Sequence, residues 1–345
     1  MLVVALVGVG VYLFLRPTSE PARSGTAAPE SAQASSPPTV APSVPVPSLG
    51  GTIQVGKSPT FVVASPNGRQ LYVANVDAGT VTVVDTAVDK VTATIPIPAG
   101  PPQFLAFSPD GRRVYVSVWN DARTIAAVSV LDTTTNQIVK TIPVHTRPYL
   151  AAVTPDGKRI FVPNHDSGTI SVIDTTTYAV LSEFPVPANP HWVAFTPDGT
   201  RAYVADHESN VVSVVNTADG SVLTQIPVQQ SPHSVAVNPL RPLVADTNYD
   251  AASVSIIDTN SNTVVATVPV GTNPQNIAWA PDGRFAYVVN DTSNTVSVIS
   301  ADSSTVTATL PTGGSPTSVT VLPDGRKGYV SNLDAGTLTV LNLAG

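Results

Sequence analysis

From Gly56 onward the chain alternates short apolar and polar runs in a pattern that recurs with a fixed period. In the fourth unit the runs are HWVAFT, RAYVAD, VVSVVNT and SVLTQIPV. Each is short, rich in β-branched residues and alternating or briefly continuous in its apolar positions, which predicts strands rather than helices. The segments between them carry turn chemistry. A PDG triplet begins at Pro109, Pro155, Pro197, Pro281 and Pro323, with PNG in the first copy. Proline sets φ, aspartate bonds the nearby backbone, and glycine accepts positive φ. The aspartates of VVDT, VLDT and VIDT, namely Asp85, Asp132, Asp174 and Asp258, recur at a second turn and read as its caps. An anchor proline stands seven residues before the proline of each first turn: Pro59, Pro102, Pro148, Pro190, Pro232, Pro274 and Pro316, at intervals of 43, 46, 42, 42, 42 and 42 residues.

A four-stranded unit of this length cannot bury both faces alone, but stacked copies can, so the period predicts propeller blades. The fold class is therefore all-β: a seven-bladed β-propeller of four-stranded blades. The seventh unit ends at GTLTVLNLAG and lacks a fourth strand, whereas GGTIQVG at the start of the folded part reads like the missing one. A strand at Thr52 to Val55 is expected to complete the last blade and so remove both free sheet edges.

The units LYVAN…GTVTVVDT…VTATIPI, IFVPN…GTISVIDT and AYVVN…NTVSVIS resemble the YVTN-family β-propeller repeat, over roughly residues 52 to 345. That resemblance implies the propeller fold. For function it implies a range: surface-layer and periplasmic proteins, partners of redox and haem chemistry, and extracytoplasmic sensor domains. Two units depart from the pattern. The second is lengthened around SVWNDARTIAAVSV, and the fifth replaces PDG with PLRP and lengthens its next loop to DTNYDAAS.

Composition narrows the range. Only 12% of residues are charged and the net charge is −7, so there is no basic footprint and no nucleic-acid partner is expected. There is no cysteine, which excludes disulfides, thiolate metal sites and cysteine nucleophiles. Leu2 to Leu15 is an uninterrupted apolar run ended by Arg16. It is short for a membrane span and lacks the basic start of a signal peptide. Residues 1–15 are thus read as a partial transmembrane or signal-like segment, residues 16–50 as a disordered Pro/Ser/Ala-rich linker, and residues 51–345 as the propeller. This predicts an extracytoplasmic protein, membrane-anchored or secreted, with the membrane as a partner through the N-terminal segment.

Candidate chemistry centres on the five histidines. The PDG and VIDT turns belong to one face of the predicted disc. The loops at the anchor prolines and after the YVAN-type strands belong to the other, and every histidine maps there. His145 precedes Pro148, His191 follows Pro190 and His233 follows Pro232, while His165 and His207 follow Asn164 and Asp206. Neighbouring loops add Asp166, Trp192, Asp206, Glu208 and Asp246. The predicted ligand-binding set is His165, Asp166, His191, Trp192, His207, Glu208 and His233. Within it His165, His191, His207 and His233 are candidate ligands of a transition metal, the one cofactor considered, because imidazoles suit zinc, copper, nickel or iron. Against this stands hydrogen bonding of copied loop histidines to nearby carbonyls. No HExxH, GxSxG or GxxxxGK[ST] motif occurs. Trp119 in the lengthened second unit is expected to pack rather than bind. Two functions stay open. One is a sensor or scaffold module taking a protein or small-molecule ligand on the histidine face. The other is a metal-dependent lyase, lactonase or redox-associated enzyme.

Overall fold

A computed structural model describes residues 39–345. The apolar run and most of the predicted linker lie outside the described residues. Among the described residues no helix is long and apolar enough to cross a membrane.

Seven four-stranded antiparallel sheets are present, six of them built from four consecutive strands. The first comprises Pro59–Ala64, Gln70–Asn75, Thr80–Asp85 and Lys90–Pro96. Burial peaks on the second and third strands of each blade and drops on the outermost. The second strand of blade one, QLYVAN, is buried at five of its six positions, whereas the fourth, KVTATIP, is buried at one. The seventh sheet joins Pro316–Val321, Lys327–Asn332 and Thr337–Ala344 to the N-terminal strand Ser43–Gln54, which occupies the outer edge. The predicted closure by residues 52–55 is thus present. The ring also closes at its centre, where Val62 N–H donates to Ser318 Oγ at 2.8 Å between blades one and seven.

The closing strand is longer than the sequence pattern predicted. It starts at Ser43, inside the stretch expected to be linker, with Ser43 opposite Ala344 and Gln54 opposite Thr337. Pro45 and Pro47 obscured it in the sequence, because proline breaks a ladder. On an edge strand the missing N–H can face solvent, and register shifts between Ser43 and Ser48 and between Leu49 and Thr52 absorb the misfit. Ser43 is held in turn by blade six, its N–H and hydroxyl both reaching the Asp282 carboxylate at 2.7–2.8 Å.

Blades are latched to one another by a repeated contact on the PDG face. The tyrosine of a second strand donates to the side chain of a left-handed residue in the next blade: Tyr72 to Asn136 at 3.3 Å, Tyr203 to Asn262 at 2.9 Å and Tyr329 to Asp89 at 2.7 Å. Blade three breaks the pattern, since its left-handed residue is Tyr178, with φ 59°.

Candidate functional site

Register places one side chain per blade at each level of the central channel. The residue after each anchor proline forms one tier: Thr60, Gln103, Tyr149, His191, His233, Gln275 and Thr317. The residue after each second-strand position that pairs with the anchor proline forms another: Val76, Trp119, His165, His207, Tyr249, Asp291 and Leu333. In blades two to five these tiers supply aromatic rings almost throughout. Trp119, Tyr149, His191 and His207 form a continuous stack, with centroid separations of 5.8, 4.2 and 4.3 Å and interplanar angles of 18°, 22° and 11°. His165 stacks on Tyr149 at 4.9 Å and lies 4.7 Å from His191. His233 meets His191 edge to face at 4.6 Å. Arg147 covers the far end of the stack, its guanidinium carbon 4.7 Å from the centre of the Trp119 ring.

The four predicted histidines are therefore brought together, with His191 at the hub. Trp119 packs, as its local sequence suggested. His145 is apart from the cluster, mostly exposed and 2.6 Å from Glu183. Trp192 sits on the next channel level rather than at the mouth. Its ring lies 5.6 Å from Phe61 and 5.9 Å from Phe104, so these three side chains from blades one, two and four plug the channel beneath the histidines. Asp166 joins the site as a support: its Oδ1 accepts from His165 Nδ1 at 2.7 Å, and Arg123 and Arg147 approach it at 3.1 and 3.5 Å. Glu208 is largely exposed, and its nearest oxygen is 3.6 Å from His207 Nδ1, too far for a hydrogen bond.

The ring tautomers follow from these partners. His165 faces a carboxylate and His233 Nδ1 faces the Gln275 carbonyl at 2.7 Å, so both Nδ1 atoms carry the proton and both Nε2 atoms keep a lone pair. His191 differs, because both its ring nitrogens are buried with no hydrogen-bond partner. Burial depresses the basicity of all four imidazoles. His233 is pushed down to about 4, and His191 falls well below its usual range through burial and the neighbouring rings. The cluster is neutral at physiological pH. As the rings stand, no group of three or more ligating side chains among the described residues aims at one point.

Two buried carboxyls lie in the same blades. Asp206 stands where five other blades have Asn75, Asn164, Asn248, Asn290 and Asn332. Those asparagines donate to a hydroxyl of the third strand, as Asn164 does to Ser171 at 2.9 Å; at Asp206 the bond is reversed and Ser213 donates at 2.6 Å. Loss of water raises Asp206 to about 8. Asp246 occupies a position that is valine in every other blade, including Val73, Val162, Val204, Val288 and Val330. It is fully buried, and neither carboxylate oxygen has a partner. Burial, with Asp206 adding repulsion, raises it well above the usual carboxyl range. In the sequence Asp246 reads only as a loop neighbour, and Tyr149 and Arg147 carry no mark of their own. Tyr149 was findable, because it follows its anchor proline as His191 and His233 follow theirs.

Three family models match successive parts of the chain: the cytochrome D1 heme domain over residues 50–158, the YNCE-like beta-propeller over 119–242, and the 7-bladed beta-propeller lactonase over 261–345. Among solved structures, a chain of Kuenenia stuttgartiensis hydrazine synthase is similar, with a TM-score of 0.76 and 25% identity over 84% of this chain and 96% of that one. No curated protein matches in sequence. Two of the three family models are propeller families, and the seven closed sheets agree with them: the chain is a seven-bladed β-propeller repeat protein.

Proposed function

We propose that the chain is an extracytoplasmic binding module that takes its ligand at the histidine-bearing channel mouth, held to a membrane through its N-terminal segment. The observation that carries the binding role is His191. A buried imidazole with both nitrogens unpaired is costly unless something else supplies the partners, and it stands among three further imidazoles and beside Tyr149. The rings of Phe61, Phe104 and Trp192 pack together at the level below the histidines, which favours capture at the mouth over passage through the channel. The extracytoplasmic placement rests on the apolar run Leu2 to Leu15 and the Pro/Ser/Ala-rich stretch after it. Haem binding by relatives of the cytochrome D1 kind transfers poorly. The matched span ends at residue 158, before His165, His191, His207 and His233.

Five histidines give a sparse nitrogen spectrum, and His145 provides an internal control. Adding the low-molecular-weight fraction of the host's extracytoplasmic medium to the ¹⁵N-histidine-labelled full chain is expected to move the ring signals of the four clustered histidines and leave that of His145 in place. If those four never move, or if only His145 moves, binding at the mouth is wrong.

A further inference from the structure

On the PDG face two contacts recur at the seams between blades. One is the tyrosine latch, as from Tyr203 to Asn262 and from Tyr329 to Asp89. The other comes from the residue two places before that tyrosine, which donates to a carbonyl of the next blade: Arg201 Nη1 to Thr259 at 2.8 Å and Lys327 Nζ to Thr86 at 3.4 Å. Arg159 does the same to Thr217 at 2.6 Å, although its blade has Phe161 at the tyrosine position. Blades two, four and seven carry both a tyrosine and a cation at these places. In blades four and seven both contacts are made, and in blade two neither is. Arg113 turns back onto its own blade, to Asp132 at 2.5 Å and the Arg112 carbonyl at 2.9 Å, so the Thr175 carbonyl of blade three goes without this donor. Tyr115 is only 1% exposed, and its hydroxyl has no hydrogen-bond partner among the described residues. Between the two blades lies a cavity of about 460 Å³, bordered by Tyr115, Arg113, Thr175 and Tyr178.

From this open seam we infer that blades two and three bind a small molecule carrying one carboxylate and one ammonium group, a free α-amino acid, on the face opposite the histidines. The carboxylate lies between the Tyr115 hydroxyl and the Arg113 guanidinium. The protein already makes this clamp once. At the seam between blades seven and one, the equivalent Tyr329 and Lys327 hold the two oxygens of Asp89, each at 2.7 Å. Blade three has Tyr178 where blade one has Asp89, so in this seam a ligand supplies the carboxylate. Burial pushes the Tyr115 phenol up to about 12, which keeps it an O–H donor at neutral pH. A guanidinium beside that hydroxyl gives charge-assisted hydrogen bonds to a carboxylate.

The second charge follows from the rest of the lining. Asp110 and Asp156, from the PDG turns of the two blades, each spend Oδ1 on their own turn. Asp110 accepts from Ser108 Oγ at 2.6 Å and the Arg112 N–H at 3.0 Å, and Asp156 from Thr154 Oγ1 at 2.6 Å and the Lys158 N–H at 3.0 Å. Their other oxygens remain, with only Lys158 Nζ at 3.9 Å from Asp156 Oδ2. Arg112, Arg113 and Lys158 are balanced by Asp110, Asp132 and Asp156, so the seam has no surplus of positive charge to hold phosphate or a dicarboxylate. A zwitterion keeps the balance, its ammonium beside Asp110 Oδ2 and the Thr175 carbonyl. The cavity volume also lies within the range of about 300–1,000 Å³ common for small-ligand sites.

The test adds each of the common L-amino acids singly to the full chain labelled with ¹³C at tyrosine Cζ, where nine tyrosines give a sparse spectrum. At least one amino acid is expected to bind at one equivalent, moving the signals of Tyr115 and Tyr178 and leaving those of Tyr72, Tyr203 and Tyr329 in place. Tyr115→Phe removes a hydroxyl that bonds nothing in the protein, so it should keep the fold and weaken binding about 10–100-fold, read from Tyr178. Tyr178→Asn gives Tyr115 the acceptor that Asn136 gives Tyr72 and should abolish binding, read from Tyr115. The amine and the acid that share the side chain of the bound amino acid should each bind about 10-fold more weakly or worse. The assignment is overturned if no amino acid moves the Tyr115 signal, if binding survives Tyr115→Phe and Tyr178→Asn unchanged, or if the acid binds as tightly as the amino acid. The histidine mouth is untouched by any of these outcomes, since its reading is tested by the ring ¹⁵N signals alone.

Discussion

Blades three, four and five and blades six, seven and one run the same strands in the same register, yet they fill the channel differently. After the anchor prolines the first group places Tyr149, His191 and His233, the second Gln275, Thr317 and Thr60. The second group spends its polar groups on its neighbours. Thr317 donates to the Pro59 carbonyl at 3.2 Å, Thr60 to the Gln103 carbonyl at 3.0 Å, and Asn276 bridges Ser234 Oγ and Val319 N–H at 3.0 and 2.9 Å. The first group leaves polar atoms unpaired at the channel and packs rings instead. One half of the wall is sewn together by interblade hydrogen bonds, and the other is built of stacked rings, several of whose nitrogens have no partner. The backbone tolerates both, so chemistry on this scaffold is set by substitution at fixed positions.

The sharpest way to break this comparison is at the level beneath the histidines, where Trp192 in blade four corresponds to Ser318 in blade seven. Trp192→Ala removes a ring packed on Phe61 and Phe104 across the channel axis and is expected to cost about 3–5 kcal/mol. Ser318→Ala loses the hydroxyl that accepts from Val62 N–H and is expected to cost about 1–3 kcal/mol. Denaturant unfolding of the two variants measures the difference. Equal losses would mean that the aromatic half is no more dependent on packing than the polar half.

The periodic features were legible from sequence because each rests on local chemistry repeated seven times. The anchor prolines and PDG turns predicted the blades, and GGTIQVG predicted the closing strand. The mapping of the histidines to one face also followed, since the meander alternates faces strictly. What escaped depended on side-chain direction or on tolerance at an edge. Trp192 follows His191 directly, but successive residues of a strand point different ways, so one lines the mouth and the other plugs the channel. Ser43 to Gly50 looks like linker in the sequence because its prolines are compatible with a strand only where no neighbour pairs on that side. Asp246 reads as a loop neighbour beside the histidines, although the column of valines at its place in every other blade marks a core position.

That column supplies the next test. Asp246→Val installs the residue found at this place in every other blade and removes two unpaired carboxylate oxygens, so it is expected to stabilise by about 1–3 kcal/mol at neutral pH. The sign with pH is specific. The folded protein holds the Asp246 proton far more tightly than the unfolded chain, whose carboxyl titrates near 3.8. The two proteins should therefore differ least below about pH 4, and the wild type should fall progressively behind the variant as pH rises above that value. A gap independent of pH across this window would show that Asp246 ionises in the folded state. Should Asp246→Val also abolish ligand binding at the mouth, the carboxyl serves the site and its instability is the cost of that service.

The smallest expected effect lies on the opposite face, where blade three again departs from its neighbours. Tyr178 takes the left-handed turn position filled by Asp89, Asn136, Gly220, Asn262 and Ser304 elsewhere, with φ 59° for a bulky residue. Its side chain gives Tyr115 no acceptor of the kind that Asn136 offers Tyr72. Instead it receives a long 3.4 Å contact from Arg113 and, with Arg112, Arg113 and Tyr115, borders a cavity of about 460 Å³ between blades two and three. Tyr178→Asn should relieve the backbone and restore the latch to Tyr115, raising stability by about 1–2 kcal/mol. The same exchange at Asn262, Asn262→Tyr, should lower it, because there the latch to Tyr203 is lost and the strain is added. Thermal unfolding of the two variants reads both signs. A loss of stability in Tyr178→Asn would mean that the Tyr178 ring holds blades two and three together across that cavity more strongly than the latch holds the others.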